Sequence, residues 1–235
     1  MKRPSALLAA LAVTIAPSAL AGARLERALD DAVDGVRFAA RGDVEIVSGA
    51  TPGVVIEADD EDTLEQLEVR VVDDHLVVRQ REEAHGLLGW MRGRDPIRVR
   101  VIVRDLEHVE FAGSGDLRVS DVRGGDLHVE IAGSADCVLE ALDLDALSVA
   151  IAGRGACEVS GTAREQSVAI AGAGDYRGLE FETERTAVAL SGMGDVEVHA
   201  NERLEATVSG MGDVAYKGSP EVLQQVSGWG SVEPE

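Results

Sequence analysis

The chain has 235 residues, with 22 Lys and Arg against 43 Asp and Glu and a formal net charge of −21. Such a surface lacks the cations that neutralise phosphate, which argues against nucleic acid and anionic lipid headgroups as partners. The acidity is not that of a disordered chain, because 45% of the residues are hydrophobic and they are regularly patterned.

In chain order, residues 1–21 read as a secretory signal peptide. Lys2 and Arg3 form a basic start, an apolar run extends from Ala6 to Ala16, and Ala19-Leu20-Ala21 offers a small-residue cleavage site. Removal of this segment takes the formal charge to −23 and predicts an exported protein of the periplasm or cell surface. No Cys stands at the cleavage point, so a lipid anchor is not expected, and no later stretch has the length and apolarity of a transmembrane helix. The remainder suffices for one domain with a sizeable core.

Residues 22–35 (containing ARLERALDDAVDG) are polar and helix-tolerant and predict a mobile lead or a short N-terminal cap. From 36 to 110 the strands are irregularly spaced: Gly42–Val47, Val54–Ile56 and the pair within Val71–Arg79 predict larger, irregular first coils. Between Glu82 and Pro96 the strand pattern breaks and Leu87, Leu88, Trp90 and Met91 cluster. Insertions in repeat proteins map to loops on one face, often the binding face, so these four residues are candidate partner contacts; the alternative is a loop folded over an end or side of the domain. Ile97–Val103 (IRVRVIV) alternates strictly and predicts a strand leading into a regular region from 111 to 235.

That region repeats. Gly113-Ser-Gly115-Asp116, Gly133-Ser-Ala-Asp136, Gly153-Arg-Gly155-Ala156, Gly172-Ala-Gly174-Asp175, Gly192-Met-Gly194-Asp195, Gly210-Met-Gly212-Asp213 and Gly228-Trp-Gly230-Ser231 recur at 18–20-residue intervals. Alternating apolar residues flank them, including Val109 and Phe111, Val129 and Ile131, and Val149 and Ile151. A short period with glycine punctuation and period-two apolarity predicts an all-β, single-domain β-solenoid of 18–20-residue rungs. Each rung would hold two or three short strands, and successive rungs would stack about 4.8 Å apart. The Gly-x-Gly-Asp units then read as corners, with Gly supplying positive φ and Asp accepting hydrogen bonds from amides in its own turn.

The series [S/A]-G-x-G-D-apolar resembles the bacterial head GIN domain family, whose members are called putative autotransporter adhesins and are also described as a domain of unknown function. The resemblance covers roughly residues 36–232. It implies a β-helical exported protein with an adhesin label and no established activity.

Several side chains are candidates for chemistry. Asp116, Asp136, Asp175, Asp195 and Asp213 fall at equivalent positions; they read mainly as turn caps, with bridging calcium as the alternative. His108-Val-Glu110 recurs as His128-Val-Glu130, gathering two imidazoles and two carboxylates of zinc-ligand type on one outer face, or simply a solvated strand surface. Cys137 and Cys157, the two cysteines of the chain, follow their corners by the same offset and are expected as rung neighbours, either bridged or as two buried thiols. A flat strip of Ser148, Ser167, Ala150, Ala169 and Ala189 on the same outer face is a candidate oligomer or partner surface. No catalytic constellation is evident: there is no G-x-S-x-G, no phosphate-cradling loop before a helix and no H-E-x-x-H, and no cofactor is implied. The function this predicts is a non-enzymatic exported binding or scaffold module, recognising an envelope or extracellular protein or a glycan. The alternatives are a self-associating structural envelope protein and a polysaccharide-active β-helix enzyme.

Overall fold

The computed structural model describes residues 14–15, 22–81 and 96–235. The signal-peptide reading falls almost wholly outside them, as do Leu87, Leu88, Trp90 and Met91. The chain is a β-solenoid and, among the described residues, has one short helix, α1 (Glu61–Glu65), capped by the Asp60 carboxylate accepting from the Thr63 amide at 2.7 Å. No helix among the described residues is long and apolar enough to cross a membrane.

The regular coils begin with β9 (His108–Phe111), β10 (Ser114–Ser120) and β11 (Asp126–Ile131) and continue in β12 (Ser134–Ile151), β13 (Arg154–Ile170), β14 (Ala173–Leu190) and β15 (Val196–Val208). They close with β16 (Val214–Lys217), β17 (Glu221–Val226) and β18 (Val232–Pro234). All pair in parallel, each with the equivalent strand of the next coil, and Val109, Val129, Val149, Val168 and Val188 form one vertical column. The expected short strands are instead long runs of 17 or 18 residues in β12, β13 and β14. These runs bend without leaving the ladder, through a register shift near Ala141 (φ 55°) and Gly161 (φ 129°), so that interruption falls at the Gly-x-Gly-Asp corner.

The interior is a set of columns one residue wide. Val44, Leu117, Cys137, Cys157, Tyr176, Val196 and Val214 form one of them, all buried. Alternation along each strand sends every second side chain into this core, which is why period-two apolarity marks it. One polar chain crosses it. Gln166 bonds the Tyr176 hydroxyl, Thr186 bonds Gln166 Oε1 at 3.3 Å and Thr183 at 2.7 Å, and Thr183 donates to the His199 carbonyl at 2.8 Å. These buried polar groups satisfy one another, as a dry interior requires.

The N-terminal part is built differently from a run of irregular coils. β2 (Ala23–Ala28) is a strand where a helix-tolerant lead was expected, because it pairs antiparallel with β5 (Gly53–Ala58), and β1 (Thr14–Ile15) pairs with β2. β6 (Leu67–Val72) and β7 (His75–Gln80) form an antiparallel hairpin, and β5 pairs antiparallel with β8 (Ile97–Val103). The coil of β3 (Gly35–Ala39) and β4 (Gly42–Ser48) then lies between later ones. β3 sits between β7 and β9, and β4 between β8 and β10. The chain starts inside the stack, builds the N-terminal layers outward, and crosses back over its first coil. Phe38 and Phe111, 73 residues apart, stack across that junction with ring centroids 5.1 Å apart.

Candidate functional site

Each corner divides its four positions among separate physical tasks. The first glycine is set by close approach. A Cβ on Gly153 would lie 1.8 Å from the Gly133 carbonyl oxygen of the coil below. Its φ is not in the left-handed region, so positive φ is not its reason. The second glycine carries the expected conformation in several coils, as at Gly212 with φ 143°. Gly174 and Gly230 lie outside that region, and Ala135 occupies the same position.

The Asp does not cap its own turn. At Asp43, Asp136, Asp175, Asp195 and Asp213 the carboxylate accepts from the amide of the equivalent residue one coil on. Asp195 N–H donates to Asp175 Oδ1 at 3.1 Å, Asp213 N–H to Asp195 Oδ1 at 3.0 Å, and Ser231 N–H to Asp213 Oδ1 at 2.8 Å. Ala156 N–H donates to Asp136 Oδ1 at 3.0 Å, so the alanine that interrupts the series still receives the bond. The ladder begins one step earlier than the repeat suggests, with Asp116 N–H donating to Asp43 Oδ1 at 3.1 Å. The Gly42-Asp43-Val44 triplet was the available signal.

The second position, between the glycines, faces outward. Arg41, Ser114, Ser134, Arg154, Ala173, Met193, Met211 and Trp229 form one ridge through successive bridges. Its last members are apolar and open to solvent: Met193 and Met211 are each 51% exposed and Trp229 is 84% exposed. Sequence reasoning found these corners but read them only as turns, and so missed Trp229 as an exposed aromatic.

Among the other candidates, His108 and His128 are register partners with rings stacked 5.2 Å apart at 20°. His75 joins the column 5.6 Å from His108, because Gly35 stands between them in the ladder and leaves room. Glu110 and Glu130 are register partners on the same face, with Glu110 facing Arg37 at 3.5 Å. Among the described residues no group of three or more His, Cys, Asp or Glu side chains is arranged to hold a metal ion. Cys137 and Cys157 are neighbours in adjacent coils and both are buried free thiols. Burial pushes the Cys157 thiol well above its usual range, with a contribution from the adjacent Cys137; burial likewise raises the Tyr176 hydroxyl. Ser148, Ser167, Ala150, Ala169 and Ala189 lie in register on the outer face as expected.

A cleft of about 530 Å³ opens at the N-terminal end, between α1, β2 and β6. Its two arginines are tied to the protein's own carbonyls, Arg27 to Val69 at 2.9 Å and Arg81 to Glu65 at 3.2 Å.

The fold and this corner ridge define a β-solenoid that displays one variable side chain per coil from a fixed edge. The family model described as putative auto-transporter adhesin, head GIN domain, matches residues 33–220, and the chain belongs to that family. Its fold is shared by a putative adhesin from Bacteroides fragilis, with a TM-score of 0.79 at 19% identity, covering 90% of this chain and 97% of that one. A putative adhesin from Parabacteroides merdae gives 0.65 at 21% identity, covering 92% and 97%. A putative lipid binding protein from Parabacteroides distasonis gives 0.64 at 20% identity, covering 90% and 96%. Among curated proteins none matches the sequence.

Proposed function

We propose that this chain is an exported, non-enzymatic recognition module that binds an envelope or extracellular protein or glycan through its corner ridge. The observation that carries the reading is the run of Met193, Met211 and Trp229, stacked in register and exposed at a corner edge where side chains do no interior work. Exposed aromatic and methionine side chains are enriched at recognition surfaces, where a large apolar contact forms at small entropic cost. The family and the similar structures carry adhesin names, which agrees with this role. The non-enzymatic reading rests on the buried polar groups, since Tyr176, Gln166, Thr183 and Thr186 are engaged with one another in the core.

The test is binding of residues 22–235 to glycan arrays and to isolated envelopes. Trp229→Ala is expected to abolish the signal while leaving the unfolding midpoint in place. Undiminished binding by that variant would overturn the ridge assignment, and a parallel Trp90→Ala variant then reports on the 82–96 segment. Export is checked by fractionation, with mature protein expected in the periplasm or at the surface.

A further inference from the structure

The two ends of the solenoid are finished differently. At the N-terminal end the outer strands are charged: β2 carries Arg24, Glu26 and Arg27, and β6 carries Glu68 and Arg70. At the C-terminal end β17 pairs with β15 alone and β18 with β16 alone. Their other edges are open among the described residues. An open edge is a template for another strand unless charge, proline or a bulge blunts it.

β18 is blunted. Glu235 N–H donates back to the Tyr216 carbonyl at 3.0 Å. In a parallel ladder alternate residues bond to the same neighbour, so the backbone of Pro234 faces the open side, where it has no N–H to offer. β17 has no such device. Ser227 N–H donates back to the Val208 carbonyl at 2.8 Å, so by the same alternation the amides and carbonyls of Val222, Gln224 and Val226 face the open edge. The run Val222-Leu-Gln-Gln-Val226 carries no charge and no proline. The same three residues continue the core columns of Leu204, Ala206 and Val208, which are buried, yet Gln224 and Val226 are exposed.

We propose that β17 is a self-association edge, and that a second copy of this chain docks on it antiparallel about a two-fold axis at Gln224. The edge is self-complementary in that arrangement alone. Val222 faces Val226 of the second copy, Gln224 faces its own equivalent, and Val226 faces Val222, so the core-facing pattern reads the same from either copy. The residues with free backbone groups are also those placed opposite one another, and each such pair can exchange two hydrogen bonds. A two-fold contact of this kind closes on itself. Head-to-tail stacking would need a continuing carboxylate at the last corner, where Ser231 stands and its hydroxyl is already donated to Asp213 Oδ1 at 2.8 Å.

The test is sedimentation equilibrium of residues 22–235 in about 0.15 M salt, which screens the net charge, from about 1 to about 100 μM, the range in which small interfaces associate. Apparent mass is expected to double across this range. Gln224→Pro removes only the open-edge amide and is expected to stay monomeric, and Gln224→Lys, which sets two like charges face to face across the axis, is expected to do the same. Val71→Lys adds the same charge at the other end and is expected to dimerise as the parent does. If Gln224→Pro fails to fold by circular dichroism, Gln224→Lys, with its backbone unchanged, decides alone. A parent chain that stays monomeric throughout, Gln224 variants that dimerise normally, or growth beyond a dimer would each overturn the proposal. None of these results depends on Trp229, so the ridge reading stands or falls separately.

Discussion

Gly153→Ala tests whether the corner glycines are fixed by coil-to-coil approach. The new Cβ would lie 1.8 Å from the Gly133 oxygen and 2.8 Å from its carbonyl carbon, both backbone atoms that no rotamer change can move. Reaching ordinary contact near 3.4 Å requires the two coils to part by about 1.5 Å against a strand spacing of about 4.8 Å. That separation takes the Arg154 N–H to Gly133 bond (2.9 Å) and the Ala152 N–H to Ile131 bond (2.8 Å) beyond hydrogen-bond range. At about 1–3 kcal/mol for each bond left unmade, the expected loss is about 3–5 kcal/mol. Gly124→Ala is the control. Gly124 has φ 71° and nothing within 4 Å of its ideal Cβ, so only the left-handed backbone costs anything, about 1–2 kcal/mol. Urea unfolding followed by circular dichroism measures both. The Gly153 variant should also show a shallower transition, because parted coils unfold less cooperatively in a structure held by nearest-neighbour contacts. A Gly153→Ala loss within about 1 kcal/mol of the Gly124→Ala loss would refute the reasoning.

Further outcomes follow from the same geometry. Tyr176→Phe leaves buried Gln166 short of a partner and should lower stability by about 1–3 kcal/mol by urea unfolding. Asp195→Ala strips the Asp213 amide of its acceptor at a solvent-exposed corner and should cost about 1 kcal/mol, read from the same denaturation midpoint. Ellman's reagent should find two thiols in the urea-unfolded chain and almost none in the native one, since Cys137 and Cys157 are buried; finding none in urea would mean that they are bridged. Cys157 and Tyr176 ionise normally near 9.0 and 10.0 and are both raised in the folded state, so their contribution is nearly complete below about pH 8.5. It is lost as the pH climbs above those values toward the folded-state ones, because the unfolded chain releases its protons first. Urea midpoints should therefore hold to about pH 8.5 and fall beyond it, and Cys157→Ala should remove the earliest part of the fall.

The regular half of the fold was legible because each coil repeats one length, so a fixed offset in sequence becomes a fixed neighbour in space. Val129, Val149 and Val168, and Cys137 and Cys157, fell into place on that basis. The N-terminal half was not legible in the same way. Asp43 and Asp116 occupy successive steps of one ladder although 73 residues separate them, and no period announces a coil threaded between later ones. Antiparallel pairing of β2 was hidden for a related reason: a strand with charges on both faces has the composition of a polar lead. The task of the Asp was misassigned because a turn and a stack of turns make the same demand on sequence. Only coordinates separate an acceptor serving its own turn from one serving the next coil.

The corner separates what holds the fold from what can vary. Replacing the first glycine drives a Cβ into the backbone of a neighbouring coil, and replacing the Asp leaves an amide of the next coil without its acceptor. The residue between the glycines meets chiefly its equivalents above and below, and across eight coils it is Arg, Ser, Ser, Arg, Ala, Met, Met and Trp. A side chain with so little to pack against can change without an energetic penalty to the stack, since surface substitutions away from structural contacts cost little. Display and stability are thereby carried by different atoms of the same four-residue unit. Recognition along this edge would then be altered by exchanging Met193, Met211 or Trp229 while the columns behind them stay as they are. It would strengthen with the number of coils that a ligand spans, because each coil adds one contact at a spacing fixed by the backbone ladder.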